Sequence, residues 1–541
     1  MKKLQLFLIS ALAFIISSPF TITMALAQNS ASVEQHYAIT TSNPEAKKAA
    51  SEILKKGGNA VDAAVAALLT LTVVQTSSVG IAGYGGSVII YSAKDKKVSS
   101  IDFDQKAPLK FNTVTFNEKT ATHGYLATGV PGVVSGLSLA LKNHGKLSWK
   151  VVSQHAYELA NKGILVDERV KRSLESFIKN SDSVSIKAYL PNGIPAIGTN
   201  WTQKDLAKII KLIGEKGQDA FYKGDLARKI ANHIQAHGGV LTEEDFNRYQ
   251  AIESEPIKIN YRGYDIYSPP VPSAGLTSLS ILKTLENFDL QKVRPFGFEY
   301  FNLFAQSSKF AWVERFKYLG DPDFVKFSSS DLLSDNAAKV RAERIRHEEV
   351  ASVDPGKPEP LHTVNVVVID NDQNIVSLTA TQGNSYGSGV SVPGTGLVFG
   401  HGISRFDYTP GTPNYPEAGK RVQHNMAPTI VLKDGKPLIG LGLPGGRYIV
   451  TVTSQLLIDL LDFKLTPEQA VKAPRMHNEG DNKIKLSKNI SETDINDLKL
   501  KGFDVQTVGE LGGPANVAII NQCTGVIDAA SQAGSAGVEV K

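Results

Sequence analysis

Disulfide bonding is excluded at the outset, because the chain holds a single cysteine, Cys523. One thiol cannot close an internal bridge, form a CxxC redox motif or build a cysteine-based metal site. Stability must therefore come from packing. Long apolar runs are also scarce. Leu6–Ile16 is an unbroken apolar or small stretch, well short of the ~20 residues that a spanning helix needs. No other stretch is long and apolar enough to span a membrane, so no stable membrane anchor is expected. There is no dense Lys/Arg stripe interleaved with aromatics, and the formal net charge is only +5. Nucleic acid is thus an unexpected partner. Internal repeats and low-complexity tracts are absent too.

With 42% apolar and 21% charged residues, the chain has the composition of an ordinary globular protein with ample core. Its start reads as a secretory signal peptide over 1–27. Lys2 and Lys3 precede the apolar run, and Ala25-Leu26-Ala27 gives an A-x-A cleavage site before Gln28. Export to a periplasm or to the medium follows as an expectation.

The front half reads mainly as helices punctuated by glycine. Asn43–Lys56 is amphipathic and ends at Gly57-Gly58, and Asn59 caps an Ala-rich helix through Leu69. Ser87–Tyr91 and Lys97–Phe103 read as strands. Helical patterns follow over Trp149–Phe177, Thr202–His237, Thr277–Asn287 and Phe298–Tyr318, with Pro269–Gly275 as a rigid loop. The charged stretch Ser334–Pro360 closes on Asp354-Pro355-Gly356-Lys357-Pro358-Glu359-Pro360, whose three prolines predict an exposed, extended linker. The character then changes. Thr363–Asp370 is a buried-type strand, and a turn at Asn371–Asn374 leads into Ile375–Thr381. Thr429–Leu432 and Pro437–Gly442 form a second hairpin, with helices expected over Tyr448–Leu461 and Pro467–Ala473.

The junction between linker and strand invites a specific chemistry. If the His362–Thr363 bond is cut, Thr363 becomes an N-terminus at a strand tip. Its hydroxyl is then a nucleophile whose base is its own α-amine, with a reference pKa of about 7.7–8.0. By itself, a threonine starting a strand is an ordinary β-former.

Several blocks give that reading weight. Gly57-Gly58-Asn59-Ala60-Val61-Asp62-Ala63-Ala64-Val65-Ala66, Gly129-Val130-Pro131-Gly132, Phe221-Tyr222-Lys223-Gly224, Tyr261-Arg262-Gly263-Tyr264 and Tyr318-Leu319-Gly320-Asp321-Pro322-Asp323 stand in this order before the junction. Leu443-Pro444-Gly445-Gly446 and Ala473-Pro474-Arg475 follow it. This ordered set resembles the gamma-glutamyltransferase (gamma-glutamyltranspeptidase, glutathione hydrolase) family of N-terminal-nucleophile hydrolases, over essentially the whole chain after the leader.

The resemblance implies an α+β fold, a four-layer αββα sandwich processed into a large subunit (28–362) and a small one (363–541) that stay paired as a heterodimer. It implies Thr363 as nucleophile, Thr381 as the threonine that holds and polarises it, and Gly445 and Gly446 as oxyanion-hole donors. The implied activity is hydrolysis or transpeptidation of γ-glutamyl amides such as glutathione through an acyl-enzyme, with water or an amine as acceptor. No metal or organic cofactor is called for.

The substrate pocket departs from the family pattern. Asp104, within Asp102-Phe103-Asp104-Gln105-Lys106-Ala107-Pro108, stands where the family has a carboxylate-gripping arginine. Arg405 stands where an ammonium-binding acid is usual, Gly402 where a glutamine is, and Gly383 where an asparagine commonly contacts substrate, with Asn384 adjacent. His424 and Asn425 fall where the family has a serine pair. Asp104, Asn384, Arg405, His424 and Asn425 are therefore the candidate substrate-binding residues. The exchange admits two explanations: a zwitterion held in swapped orientation, or a different acyl group, such as a dicarboxylic acyl chain on Arg405. A third reading, of another class, is a processed but non-catalytic ligand-binding relative. The loop Tyr408–Arg421 is shorter than in family members that carry a lid there, which predicts an open cleft and hydrolysis ahead of transfer.

Overall fold

The computed structural model describes residues 36–112, 116–356, 362–534 and 536–540; the expected leader and residues 357–361 of the linker lie outside them. Two antiparallel sheets dominate. In the first, seven strands run in the order Ala536–Val540, His36–Thr41, His362–Ile369, Ile375–Gly383, Gly85–Ser92, Lys97–Asp102, Ile252–Ser254. In the second, six strands run Ile527–Ser531, Asn516–Ile520, Lys436–Gly442, Thr429–Lys433, Tyr264–Ser268, Ile257–Tyr261.

The strand His362–Ile369 shows how the layers arise. Alternate side chains of a strand point to opposite faces. Val364, Val366 and Val368 face one way, into a core shared with the helices Pro44–Lys55, Ala60–Val74 and Lys204–Lys216. Val367 and Ile369 face the other way, against Ile430, Leu432, Ala518 and Ile520 of the second sheet. That sheet in turn buries Val431, Ile439 and Leu441 beneath the helices Gly275–Leu285, Phe298–Tyr318 and Tyr448–Leu461. A strand buried on both faces needs a continuous apolar run, and Val366-Val367-Val368-Ile369 supplies it. The result is a helix, sheet, sheet, helix sandwich.

A few polar groups tie this frame together. Asn59 and Asp62 form a capping box at the start of Ala60–Val74, so the first family block is a helix-starting device. Asp62 also accepts the Lys146 and Leu147 N–H groups. Asp370, at the end of the central strand, accepts the Ala60 N–H at 2.8 Å, an acid placed where the helix dipole favours it. Between the sheets, the Asn365 amide donates to Thr379 Oγ1 at 3.0 Å. Asn516 donates to Asn365 Oδ1 and to its carbonyl at 3.1 Å.

Some elements differ from expectation. The Ala-rich helix runs on to Val74, because its last turn stays buried. The patterns over 149–177 and 202–237 break into short helices at Gly163, Gly217 and Gly224, each at positive φ. Ser334 caps a helix, Asp335–Arg346, in the front of the stretch read as linker. There Arg341 and Ile345 are buried, so tertiary contact overrides a charged sequence.

Candidate active site

Two adjacent strands end together at the junction. Thr363 pairs with Thr381 in register, and a bulge then sets Gly383 opposite His362. The Thr363 hydroxyl donates to Thr381 Oγ1 at 3.1 Å. Thr381 Oγ1 also accepts the Gly383 N–H at 2.9 Å and itself donates to the His362 carbonyl. One hydroxyl thus links the side chain of Thr363 to the carbonyl just before it. Chemically, this arrangement polarises that carbonyl and orients the neighbouring oxygen. Thr363 is half-buried, while Thr381 is buried.

The second sheet delivers the glycine pair to the same end. Ser377 donates to the Leu441 carbonyl at 2.8 Å. A Cβ on Gly442 would lie 2.2 Å from Asn365 Nδ2, so the strand Lys436–Gly442, which leads to Gly445-Gly446, approaches the Thr363 strand at close range. Gly445 and Gly446 have φ of +137° and +57°, and a Cβ on Gly445 would meet Gly513 N at 2.7 Å. Both are buried, and among the described residues neither N–H has a hydrogen-bond partner. Buried backbone donors are nearly always paired. Two left open, just before the helix Tyr448–Leu461, can receive a developing negative charge.

A cleft of about 560 Å³ opens nearby. Of the five substrate-binding candidates, Asn384 and Arg405 line it, together with Arg315, His401 and Arg447. Arg405 lies over the Tyr84 ring, 5.9 Å from its centroid, and burial lowers its pKa. Arg315 is buried and donates to the His424 carbonyl and to Asn425 Oδ1, both at 2.9 Å. Arg447 binds Glu479 at 2.7 Å and the Pro355 carbonyl at 2.6 Å.

Asp104, His424 and Asn425 do not line the cleft. Asp104 and His424 are buried, with His424 Nε2 and Asp104 Oδ2 2.5 Å apart. Burial pushes Asp104 well up and His424 down to about 3. Beside them Arg421 pairs with Asp102 at 3.1 Å, Asp321 at 2.6 Å and Asp323 at 3.1 Å. The Asp102 carboxyl rises to about 6 through burial and the neighbouring Asp104. Asp102, Asp104 and His424 stand close enough to suggest a metal centre, but the proton position opposes it. His424 Nδ1 accepts the Met426 N–H at 3.2 Å, which leaves the proton on Nε2, the atom that would have to ligate.

Sequence reasoning missed Arg315, His401, Arg421 and Arg447. Arg315 carried little local signal, since the buried side of Phe298–Tyr318 also holds Ser307, Ser308 and Lys309. The others owe their roles to contacts across the fold.

Comparison with known proteins assigns the family. The family model described as Gamma-glutamyltranspeptidase matches residues 46–540. The glutathione hydrolase proenzyme of Escherichia coli (strain K12) is 34% identical over 498 residues, covering 86% of this chain and 85% of that protein. The acylase ACY 1 proenzyme of Pseudomonas sp. (strain SE83) is 32% identical over 502 residues, covering 89% of each. Among solved structures, cephalosporin acylase from Bacillus halodurans superposes with a TM-score of 0.85 at 25% identity, over 94% of this chain and 96% of that one. Sequence matched nearly end to end and a shared fold converge on one conclusion: this chain belongs to the gamma-glutamyltranspeptidase family and is an enzyme of the N-terminal-nucleophile αββα fold.

Proposed function

We propose that the chain cuts itself between His362 and Thr363 and then hydrolyses amides whose acyl group ends in a carboxylate, γ-glutamyl amides such as glutathione foremost. The observation that carries this is the Thr363–Thr381–His362 hydrogen-bond chain. In the precursor, Thr363 Oγ1 adds to the His362 carbonyl carbon. The C–N bond breaks, its nitrogen becomes the Thr363 amine, and an ester remains. Water hydrolyses the ester to the His362 carboxylate and the free Thr363 hydroxyl. The large subunit then spans 28–362 and the small one 363–541.

In turnover, the freed α-amine takes the Thr363 proton as the oxygen attacks the substrate carbonyl. The Gly445 and Gly446 N–H groups hold the resulting oxyanion. The leaving amine departs with the proton, and water or another amine resolves the acyl-enzyme. Arg405 offers the cation for the acyl carboxylate. Residues 1–27 carry the features of an export leader, which fits an enzyme acting outside the cytoplasm.

One observation favours a second reading. Asp104, the candidate acid for an α-ammonium, is buried against His424 instead of lining the cleft. A dicarboxylic acyl chain without an amino group would need no such acid, and an acylase of the same mechanism follows. Turnover of γ-glutamyl and glutaryl anilides, with sequencing of the smaller fragment's N-terminus, tests both. A fragment beginning at Thr363 and turnover of either anilide is expected. An uncut chain that still hydrolyses them would overturn the mechanism.

A further inference from the structure

One cleft residue is explained neither by the hydroxyl pair nor by the arginines. His401 is only 2% exposed, yet it lines the cleft beside Asn384 and Arg405. Its Nδ1 accepts the Asn384 N–H at 3.1 Å, which fixes the ring proton on Nε2. The titratable groups that face it are His123, whose ring lies nearly parallel at 6.3 Å, and His362. Among the described residues no side-chain acceptor meets the ring; the Gln382 carbonyl is the backbone acceptor beside it, and it favours the protonated form. Burial first, then the His123 ring, hold the His401 pKa down at about 3.

Gly383 makes this placement possible. Its φ is +91°, and a Cβ there would lie 2.4 Å from His401 Nδ1. Any side chain at 383 would push the imidazole out. The same residue gives its N–H to Thr381 Oγ1, so the ring is held in register with the reacting hydroxyls through the main chain.

We propose that His401 is a specificity-determining residue whose Nε2–H receives an acceptor oxygen of the bound acyl group, with Gly383 admitting its ring. The proposal rests on the acyl-transfer reading above. An imidazole that stays neutral cannot shuttle protons near pH 7, but it is a fixed donor. A fixed buried donor selects by being left unpaired when the wrong group binds. Acyl chains carrying a carboxyl or carbonyl oxygen beyond the reacting carbonyl are accepted, and alkyl chains of equal length are rejected.

The test compares H401F, H401L and H401Q with wild type on a glutaryl or γ-glutamyl anilide and on a pentanoyl anilide, with self-cleavage as the folding check. H401F should lower kcat/KM for the oxygen-bearing acyl group about tenfold, mainly through KM, and raise it for the alkyl anilide, which no longer leaves a buried donor unpaired. H401L carries the same expectation should H401F fail to self-cleave. H401Q keeps a donor and should recover most of the loss, with a kcat/KM pH profile that superimposes on wild type. Equal losses on both acyl classes, or an ionisation limb that vanishes in H401Q, would overturn the proposal. Wild-type turnover with unchanged selectivity in H401F sinks this inference alone. A wild type inert on every anilide sinks the acyl-transfer reading and this one with it.

Discussion

At the strand tips, Thr363, Thr381 and Gly383 are held by sheet register and main-chain partners. Behind Arg405, the Asp104–His424 pair and the Arg421 cluster depend chiefly on side chains for their charge. A site held by backbone has few ways to change without disturbing the sheet. A pocket built from side chains can exchange charge for charge while the sandwich stays as it is. On the function proposed above, the difference explains how one chain keeps its reacting groups while its acyl end carries different residues.

The largest effect separates the two ends. Thr363→Ala should leave a single uncut band on a denaturing gel and reduce anilide turnover on the order of 10³-fold or more. No substitution at the acyl end should stop the cut. Next, Thr381→Val keeps the strand but removes the hydroxyl that joins Thr363 to the His362 carbonyl. Self-cleavage and kcat should both slow by about 10²-fold, followed by band densities over time and by single-turnover kinetics. Equal rates in this variant would break the comparison at its stronger side.

Arg405→Ala should act on substrate choice. We expect KM for carboxylate-bearing anilides to rise about 10- to 100-fold, the range for losing a hydrogen bond to a charged group, with the cut unaffected. The smallest effect concerns stability and pH. His424 has a folded pKa depressed to about 3, against about 6.5 when unfolded. Its neutral burial contributes stability above the unfolded pKa. That stability is lost as pH falls from there towards 3, because only the unfolded chain takes up the proton. Asp102, raised to about 6, works in the opposite sense between its unfolded value and 6. The difference between variants is therefore the informative quantity. His424→Asn should flatten the fall in Tm between about pH 6.5 and 4, measured by thermal melts in matched buffers.

Much of the frame could be read from the sequence, for identifiable reasons. Val366-Val367-Val368-Ile369 announces a strand buried on both faces, and Asn59 three residues before Asp62 announces a capped helix. The linker prolines and Thr363 mark the junction. The arrangement of the acyl end was much less legible. Nothing local tells that Asp104 meets His424, 320 residues later in the chain, or that Arg421 gathers Asp102, Asp321 and Asp323. His401 was invisible for the same reason, since its meaning depends on the missing Cβ of Gly383. Ser334–Arg346 looks like linker by its charge, yet it forms a helix whose Ala338, Arg341, Ala342 and Ile345 are buried.

The strand order of the larger sheet has a mechanical consequence. His36–Thr41 is sandwiched between Ala536–Val540 and His362–Ile369, while Ile375–Gly383 has Gly85–Ser92 on its far side. A break before Thr363 therefore yields fragments laced through each other like interlocked fingers. They should travel together through native chromatography, melt in one step, and part only in denaturant. Neither half, expressed alone, would find the neighbours its hydrogen-bonding edges require.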